Sequence, residues 1–160
     1  MRWLILLALL ASLLPTQLFA QSSHADQLIT ADSKTITGYV ARINLHKADQ
    51  VLEALQRAEN YFQSSQQPGQ QTSDNVPPIA FVIYGPDVGI FFKENYSEFK
   101  PIVDLAARLS ALEVIEVKVC QVSYEAEGLD SSTLLPFVST VPFGPAEVNR
   151  LLVEQEYSFF

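Results

Sequence analysis

Cys120 is the residue of this sequence whose type and position best suit covalent chemistry. It follows the run 114–119, which has the alternating pattern of a strand, and it precedes a short helical segment. A thiol at a helix start lies near the positive end of the helix dipole, which lowers its pKa and favours the nucleophilic thiolate. Because a free cysteine is also a common small core residue, the sequence leaves a reactive thiol and a packing residue as alternatives.

The charged neighbours of Cys120 in the sequence are mostly acidic. One basic residue, Lys118, is accompanied by three carboxylates, Glu116, Glu125 and Glu127. Negative charge near a thiol disfavours the thiolate, so these neighbours predict a raised pKa. The chain has one cysteine, which excludes a Cys-x-x-Cys redox pair, an internal disulfide framework and a multi-cysteine metal site.

Two further positions are candidates for a binding site. His46 follows the first predicted strand, and a parallel sheet would bring it to the same edge as Cys120, where it could pair with the thiol. Tyr84, Gly85 and Pro86 follow the most apolar strand, and α/β proteins bind ligands at the carboxyl ends of such strands. A helical turn after Gly85 would direct backbone N–H groups at a small anion. A solvated loop histidine and an ordinary strand-to-helix turn are the alternatives.

The elements that must position these residues alternate between strand and helix patterns. Strand patterns occur at 35–45, 79–84, 114–119 and 138–141, with a further short strand within 157–160. Helical periodicity occurs at 48–63, from 97 to about 112, at 122–127 and from Gly144 onward. This alternation predicts a compact three-layer α/β fold with a mainly parallel sheet of about five strands. The polar stretch 64–78, rich in Gln, Ser and Pro, predicts a flexible loop.

The first twenty residues have the pattern of a secretory signal peptide. A positive start at Met1-Arg2 is followed by a nearly unbroken apolar run from Leu4 to Leu14, and Ala20 supplies a small residue at the expected cleavage site. The apolar run is shorter than a membrane-spanning helix requires. We therefore expect a signal peptide at 1–20, a polar lead at 21–34 and one domain at 35–160. The mature protein is predicted to be periplasmic or secreted, without a membrane segment.

Composition and missing motifs exclude several functional classes. With 160 residues, of which 48% are apolar and 18% charged, the chain fits a single folded domain. A net charge of −8 without a basic cluster argues against nucleic acid as a partner. The sequence has no phosphate-binding glycine-rich loop, dinucleotide motif, metalloprotease motif or nucleophile-elbow serine. No metal or cofactor is therefore predicted.

Several short motifs, taken in their order along the chain, resemble the DsrE/DsrF-like superfamily. They lie within 35–160 and comprise Tyr84-Gly85-Pro86, Lys118-Val119-Cys120, Gly128-Leu129, Leu134-Leu135-Pro136 and Val141-Pro142-Phe143-Gly144. The resemblance implies a compact α/β fold with a parallel sheet that assembles into homo-trimers or homo-hexamers. It also implies that Cys120 carries sulfur as a persulfide, received from a donor protein and passed to an acceptor protein without a cofactor.

Three functions from different classes are compatible with these patterns, and they leave open whether the protein is an enzyme. The first is a sulfur carrier or sulfurtransferase, which needs an accessible Cys120 thiol of low pKa. The second is a non-catalytic oligomeric binding or interaction module that uses the crevice beside Tyr84 to Pro86 or the polar loop 64–78. The third is an exported thiol that forms an intermolecular disulfide, since a lone cysteine has no partner within its own chain.

Overall fold

The structure, a computed structural model, describes residues 37–43, 48–66 and 77–160. All of them fall in the unit Thr35–Phe160. The predicted signal peptide at 1–20, the polar lead at 21–34, His46 and most of the predicted loop 64–78 lie outside the described residues, so those expectations stay predictions. Within the three described ranges, no helix has both the length and the apolar character needed to cross a bilayer.

A parallel sheet forms the centre of the described part of the chain. Its five strands are β1 (Tyr39–Val40), β2 (Ile79–Ile83), β3 (Ile115–Cys120), β4 (Val138–Val141) and β5 (Ser158–Phe159). Their order is β4-β3-β2-β1-β5, and every neighbouring pair is parallel. Because all strands run the same way, their carboxyl ends share one edge of the sheet. The predicted α/β fold with a parallel sheet of about five strands is confirmed.

In the described ranges, four α-helices cover the two faces of this sheet. They are α1 (Ala48–Ser65), α2 (Tyr96–Ala111), α3 (Gln121–Ala126) and α4 (Gly144–Val153). Helices α1, α2 and α3 pack on one face together with a 3-10 helix at Gly85–Phe91, whereas α4 packs on the other, which gives three layers. The helical periodicity predicted all four positions to within a few residues. Pro101 is tolerated in α2 because the backbone already departs from helical geometry at Phe99, two residues earlier.

The two faces of the sheet differ in polarity. The face beneath α1, α2 and α3 is lined by aliphatic and aromatic side chains, which comprise Ile79, Phe81, Ile83, Ile115, Val117 and Val119. Beneath α4, an apolar cluster is formed by Val40, Ala80, Val82, Val141 and Leu151. The register pairs Ala80 with Glu116 and Val82 with Lys118, so the α4 face becomes charged where it reaches β3. Side chains alternate between the two faces along a strand, and Cys120 is two residues after Lys118. Cys120 therefore lies on the same face as Lys118, the one covered by α4.

The first strand is much shorter than its sequence predicts. Of the described residues in the predicted range 35–45, two, Tyr39 and Val40, are in strand conformation. Their partner β5 also has two residues, and the N–H of Ala41 makes the last backbone bond toward β2, to the carbonyl of Ala80. The prediction of a long first strand is therefore wrong. A sequence rich in β-branched residues favours a strand, but the length of the strand depends on how many residues of the neighbouring strands are in position to pair with it.

Candidate functional site

Cys120 lies where β3 ends and α3 begins, as the sequence predicted. It is the last residue of β3, and α3 starts at the next residue. On β4 it is paired with Val141, three residues before α4 begins at Gly144. Two helices therefore start beside the same side chain. The cysteine is a free thiol and only 1% exposed.

The surroundings of Cys120 favour its thiolate form. Burial raises the pKa of the thiol, but polar contacts from the Ser123 hydroxyl and from the backbone N–H groups of Gly144, Ser123 and Val122 lower it, and the net result is a lowered pKa. The acidic neighbours in the sequence predict the opposite direction, and that prediction is wrong. Those carboxylates, on Glu116, Glu125 and Glu127, belong to solvent-exposed residues, so water screens their charge.

Ser123 connects Cys120 to the turn after β2. The backbone N–H of Gly85 donates to Ser123 Oγ over 2.9 Å, and the Ser123 hydroxyl in turn contacts the Cys120 thiol. Gly85 has a φ of +74°, a conformation that glycine adopts without strain, and a Cβ there would meet nothing within 4 Å. The backbone conformation, not a lack of space, therefore requires glycine. The Gly85 N–H is already bonded within the protein and is not directed at a ligand.

Tyr84 packs against the start of α4. A Cβ placed on Gly144 would lie 2.9 Å from both Cβ and Cδ1 of Tyr84, closer than side chains tolerate. The absence of a side chain at Gly144 therefore lets the α4 terminus approach β2 and β3. Pro145 follows as the second helical residue, in the first turn, where its fixed φ suits a helix start and its missing N–H costs no helical hydrogen bond. This packing brings the Gly144 N–H to the Cys120 thiol.

A cluster of charged side chains connects α4 to β3 at Lys118, two residues before Cys120. Lys118 Nζ lies 3.1 Å from Glu116 Oε1 and 3.5 Å from Glu147 Oε1. Arg150 donates to the two oxygens of Glu147 over 2.7 and 2.8 Å. The hydrogen bonds from Arg150 lower the pKa of Glu147, burial opposes this, and Lys118 adds to the lowering. The charge of Lys118 is thus matched by carboxylates and is not available to the thiol.

Two exposed apolar side chains flank the site at the surface. Val122 is 54% exposed and Phe143 is 51% exposed, and the N–H of Val122 donates to the carbonyl of Pro142 over 3.4 Å. Val122 lies in α3 and Phe143 directly precedes α4. This apolar pair, Val122 and Phe143, therefore lies in the two segments whose backbone N–H groups contact the thiol. The arrangement can stabilise a thiolate, but a reagent reaches it only when one of these segments moves.

The predicted site residues have different positions relative to Cys120. Tyr84 and Gly85 are connected to it through Gly144 and Ser123, while Pro86 is exposed in the first turn of the 3-10 helix and His46 lies outside the described residues. In the described ranges, no three His, Cys, Asp or Glu side chains converge as metal ligands. Sequence reasoning missed Ser123 and Gly144. Their signals were a hydroxyl three residues after the cysteine and a Gly-Pro helix start.

Comparisons with known proteins support the fold. No protein-family model matches the chain. No curated protein matches it either. Among solved structures, it is similar to "Structure of Protein of Unknown Function MTH1491 from Methanobacterium thermoautotrophicum", with 19% identity and a TM-score of 0.58 over 76% of this chain and 96% of that one. At this identity the similarity shows a shared α/β fold.

Proposed function

We propose that this protein is an exported sulfur carrier of the DsrE/DsrF-like type, which holds a persulfide on Cys120. The observation that carries the proposal is the lowered pKa of a lone thiol at a strand end where two helices begin. A thiolate is the form of cysteine that attacks sulfur, and a lowered pKa increases its fraction near neutral pH. The motif resemblance supplies the type of chemistry, and the parallel α/β fold is compatible with it.

Loading of the carrier would be a nucleophilic displacement at sulfur. With thiosulfate as the donor, the Cys120 thiolate attacks the outer sulfur, a new Sγ–S bond forms, the S–S bond of thiosulfate breaks, and sulfite leaves with the electron pair. The product is the Cys120 persulfide anion, and the total charge is conserved. No metal or redox cofactor takes part, because sulfur is transferred without a net electron donor or acceptor.

Delivery would be a second displacement that returns Cys120 to its thiolate. An acceptor thiolate attacks the outer sulfur of the persulfide, becomes a persulfide itself, and releases Cys120 as the leaving group. The N–H groups of Gly144, Ser123 and Val122 stabilise negative charge on Sγ, so they favour this release. The same contacts thus assist both steps. They assist loading because they increase the fraction of Cys120 that is thiolate, and they assist delivery because they make that thiolate a better leaving group.

Intact-mass measurement before and after treatment with thiosulfate or polysulfide tests this proposal. We expect the wild type to gain sulfur atoms that a reductant removes and the Cys120→Ser variant to gain none. An unchanged mass in both proteins, under conditions where a small-molecule thiol is loaded, would overturn the carrier function. Because Cys120 is buried, a parallel reaction in mild urea distinguishes a covered thiol from an inert one.

The proposal also includes export and assembly. Export to the periplasm or to the medium predicts a mature chain that begins at Gln21, which the same mass spectrum of protein from the native compartment reveals. Assembly into a homo-trimer or homo-hexamer is supported by the exposed apolar pair Val122 and Phe143. Light scattering of the eluting protein gives the oligomer number. A monomer at all concentrations would remove assembly from the proposal without affecting the thiol chemistry.

The burial of Cys120 favours a second candidate function, a non-catalytic oligomeric binding module. In that case the thiol is a packing residue, and the apolar pair Val122 and Phe143 is the functional surface. Replacement of Cys120 by Ala would then leave cellular function intact, whereas Phe143→Ser would abolish it. The carrier predicts loss of function in Cys120→Ala. Burial also disfavours the intermolecular disulfide, whose two sulfurs must reach each other at a surface.

A further inference from the structure

A cavity of about 470 Å³ opens at the far side of the sheet from β4. Its walls come from the segment that follows β1, from the first ten residues of α1 and from the end of β5 with the residue after it. The lining residues are Arg42, Gln50, Glu53, Arg57, Phe159 and Phe160. None of these residues takes part in the site around Cys120. The cavity is therefore a separate feature, with its own chemistry.

The topology of the sheet places this cavity where α/β proteins bind ligands. From β1 the chain steps through β2 and β3 to β4 in one direction, and then returns to the opposite side of β1 to form β5. The helices that follow β1 and precede β5, α1 and α4, lie on opposite faces. Such a reversal opens a crevice between adjacent strands, and ligands bind there at the carboxyl ends. Arg42 and Phe159 both lie at that end.

Two guanidinium groups line the cavity. Arg42 lies with its Cζ 4.5 Å from the centre of the Phe159 ring, and Arg57 donates from Nη2 to the Arg42 carbonyl over 3.5 Å. Arg57 also lies 3.7 Å from Glu53, in an exposed pair. Among the described residues, no carboxylate lies within ion-pair distance of Arg42. A guanidinium group favours a carboxylate, because it presents several N–H donors in a plane.

The same cavity also presents hydrogen-bond acceptors. The side-chain oxygen of Gln50 is buried and has no donor among the described residues. A buried acceptor without a partner is costly, and Gln50 is one of the residues that line the cavity, so a turn of its side chain toward a donor in the cavity would give the oxygen a partner. Glu53 adds a carboxylate to the same lining. A ligand that satisfies both sets of groups must therefore carry an anionic end and a donating, positively charged end.

We propose that this cavity binds a small zwitterion of the α-amino acid class. Its carboxylate is bound by Arg42 and Arg57, its ammonium group donates to Glu53 and to the Gln50 oxygen once that side chain turns into the cavity, and the ring of Phe159 contacts its side chain. The volume is within the range of small-molecule pockets. This binding needs no thiol, so it is independent of the persulfide chemistry.

Calorimetric titration of the purified protein with each of the twenty standard amino acids tests this site. We expect at least one of them to bind, with acetate and methylamine binding at least tenfold more weakly. Arg42→Gln and Glu53→Gln should each weaken that binding about tenfold or more, since each removes one charged contact. Arg108→Gln is the matched control, because Arg108 pairs with Glu59 between α1 and α2, outside the cavity.

The outcomes separate this site from the sulfur carrier. Absence of binding by all twenty amino acids, or equal affinity in wild type and Arg42→Gln, would overturn the proposal. Acetate binding as tightly as the amino acid would overturn it as well, because the amine would then contribute nothing. Cys120→Ser should bind with unchanged affinity. The cavity variants replace exposed side chains, and a urea unfolding curve for each confirms that the fold is intact.

Discussion

The two faces of the sheet differ in what they bury and in what they can do. On the face covered by α1 and α2, β2 and β3 contribute aliphatic and aromatic residues alone, and all of them are buried. On the face covered by α4, the same two strands contribute Ala80 and Val82 but also Lys118 and Cys120. One strand, β3, therefore contributes to the apolar core on one side and to the candidate site on the other.

This contrast separates the residues that form the large apolar core from the residues of the candidate site. The α1 and α2 face is packed with large side chains, which stabilise the fold through apolar burial. The α4 face uses small residues, an ion-pair cluster and a glycine, so that a helix start can come close to the sheet. Close approach brings the Gly144 N–H to Cys120, which a large apolar side chain at position 144 would prevent.

Substitutions at adjacent residues of β2 provide the most direct test of this contrast. Phe81→Ala on the core face should lower the free energy of unfolding by about 3–5 kcal/mol, because a fully buried ring is replaced by a cavity. Val82→Ala on the α4 face should cost about 2 kcal/mol, since it removes less buried surface. Urea unfolding of both variants measures the difference. Equal losses would break the comparison.

A methyl group on Gly144 should disturb the α4 face in a specific way. Gly144→Ala places a Cβ against Tyr84, and we expect a loss of about 1–3 kcal/mol from overpacking. As the helix start moves away, the pKa of the Cys120 thiol should rise, which titration of the thiolate absorbance measures. Tyr84→Ala in the same chain should restore both quantities in part. A stable Gly144→Ala variant with an unchanged thiol pKa would show that the close approach has no effect.

Removal of the Ser123 hydroxyl should have a smaller effect on stability and a clear effect on the thiol. Ser123→Ala leaves the Gly85 N–H without its acceptor, at a cost of about 1 kcal/mol. It also removes a contact that favours the thiolate, so the pKa of Cys120 should rise. The pH dependence of Cys120 alkylation checks this. Ser132→Ala is the control, because Ser132 bonds to Asp130 in an exposed turn, and it should leave the alkylation profile unchanged.

The smallest effect should be in the acid sensitivity of the fold. Hydrogen bonds from Arg150 hold the pKa of Glu147 below its ordinary value of 4.5. The ionised Glu147 carboxylate therefore stabilises the folded state, and this stabilisation is fully present above pH 4.5. It is lost as the pH falls through the lower pKa that Glu147 has in the folded state. Glu147→Gln should flatten this part of the curve of unfolding free energy against pH. Glu94→Gln, at an exposed residue, controls for the loss of one negative charge, and equal slopes in all three proteins would contradict the assignment.

The sequence was sufficient to predict most elements of the fold. The helical periodicity of 48–63 and the unbroken apolar run that begins at Ile79 correspond to α1 and β2 with small errors at their ends. Gly128 has the positive φ expected of a residue that ends a helix. These features are local, so each can be read from a short window. The length of β1 could not be predicted, because it depends on β2 and β5, which are distant in sequence.

The candidate site was predictable only in part, for the same reason. The place of Cys120 at a strand end follows from its immediate neighbours. The Gly144 N–H belongs to a helix that follows a different strand, and only the pairing of β3 with β4 brings it to the thiol. The direction of the thiol pKa shift depends on these contacts as well. Sequence proximity pointed to the acidic residues, which the fold leaves in solvent.

The pairing of β1 with β5 has a consequence for how this chain reaches its native state. The backbone near β1 contacts the segment before β5 across 118 residues of sequence, through the Thr37 hydroxyl and the Gln155 carbonyl. Contacts of such long range form late, because a large loop must close before they contribute. During synthesis, β2, β3 and β4 can assemble with β1 before β5 is available, so the edge of β1 that later pairs with β5 is still unpaired. Until residues 158–159 emerge, it is an open strand edge, available to chaperones and to other copies of the chain.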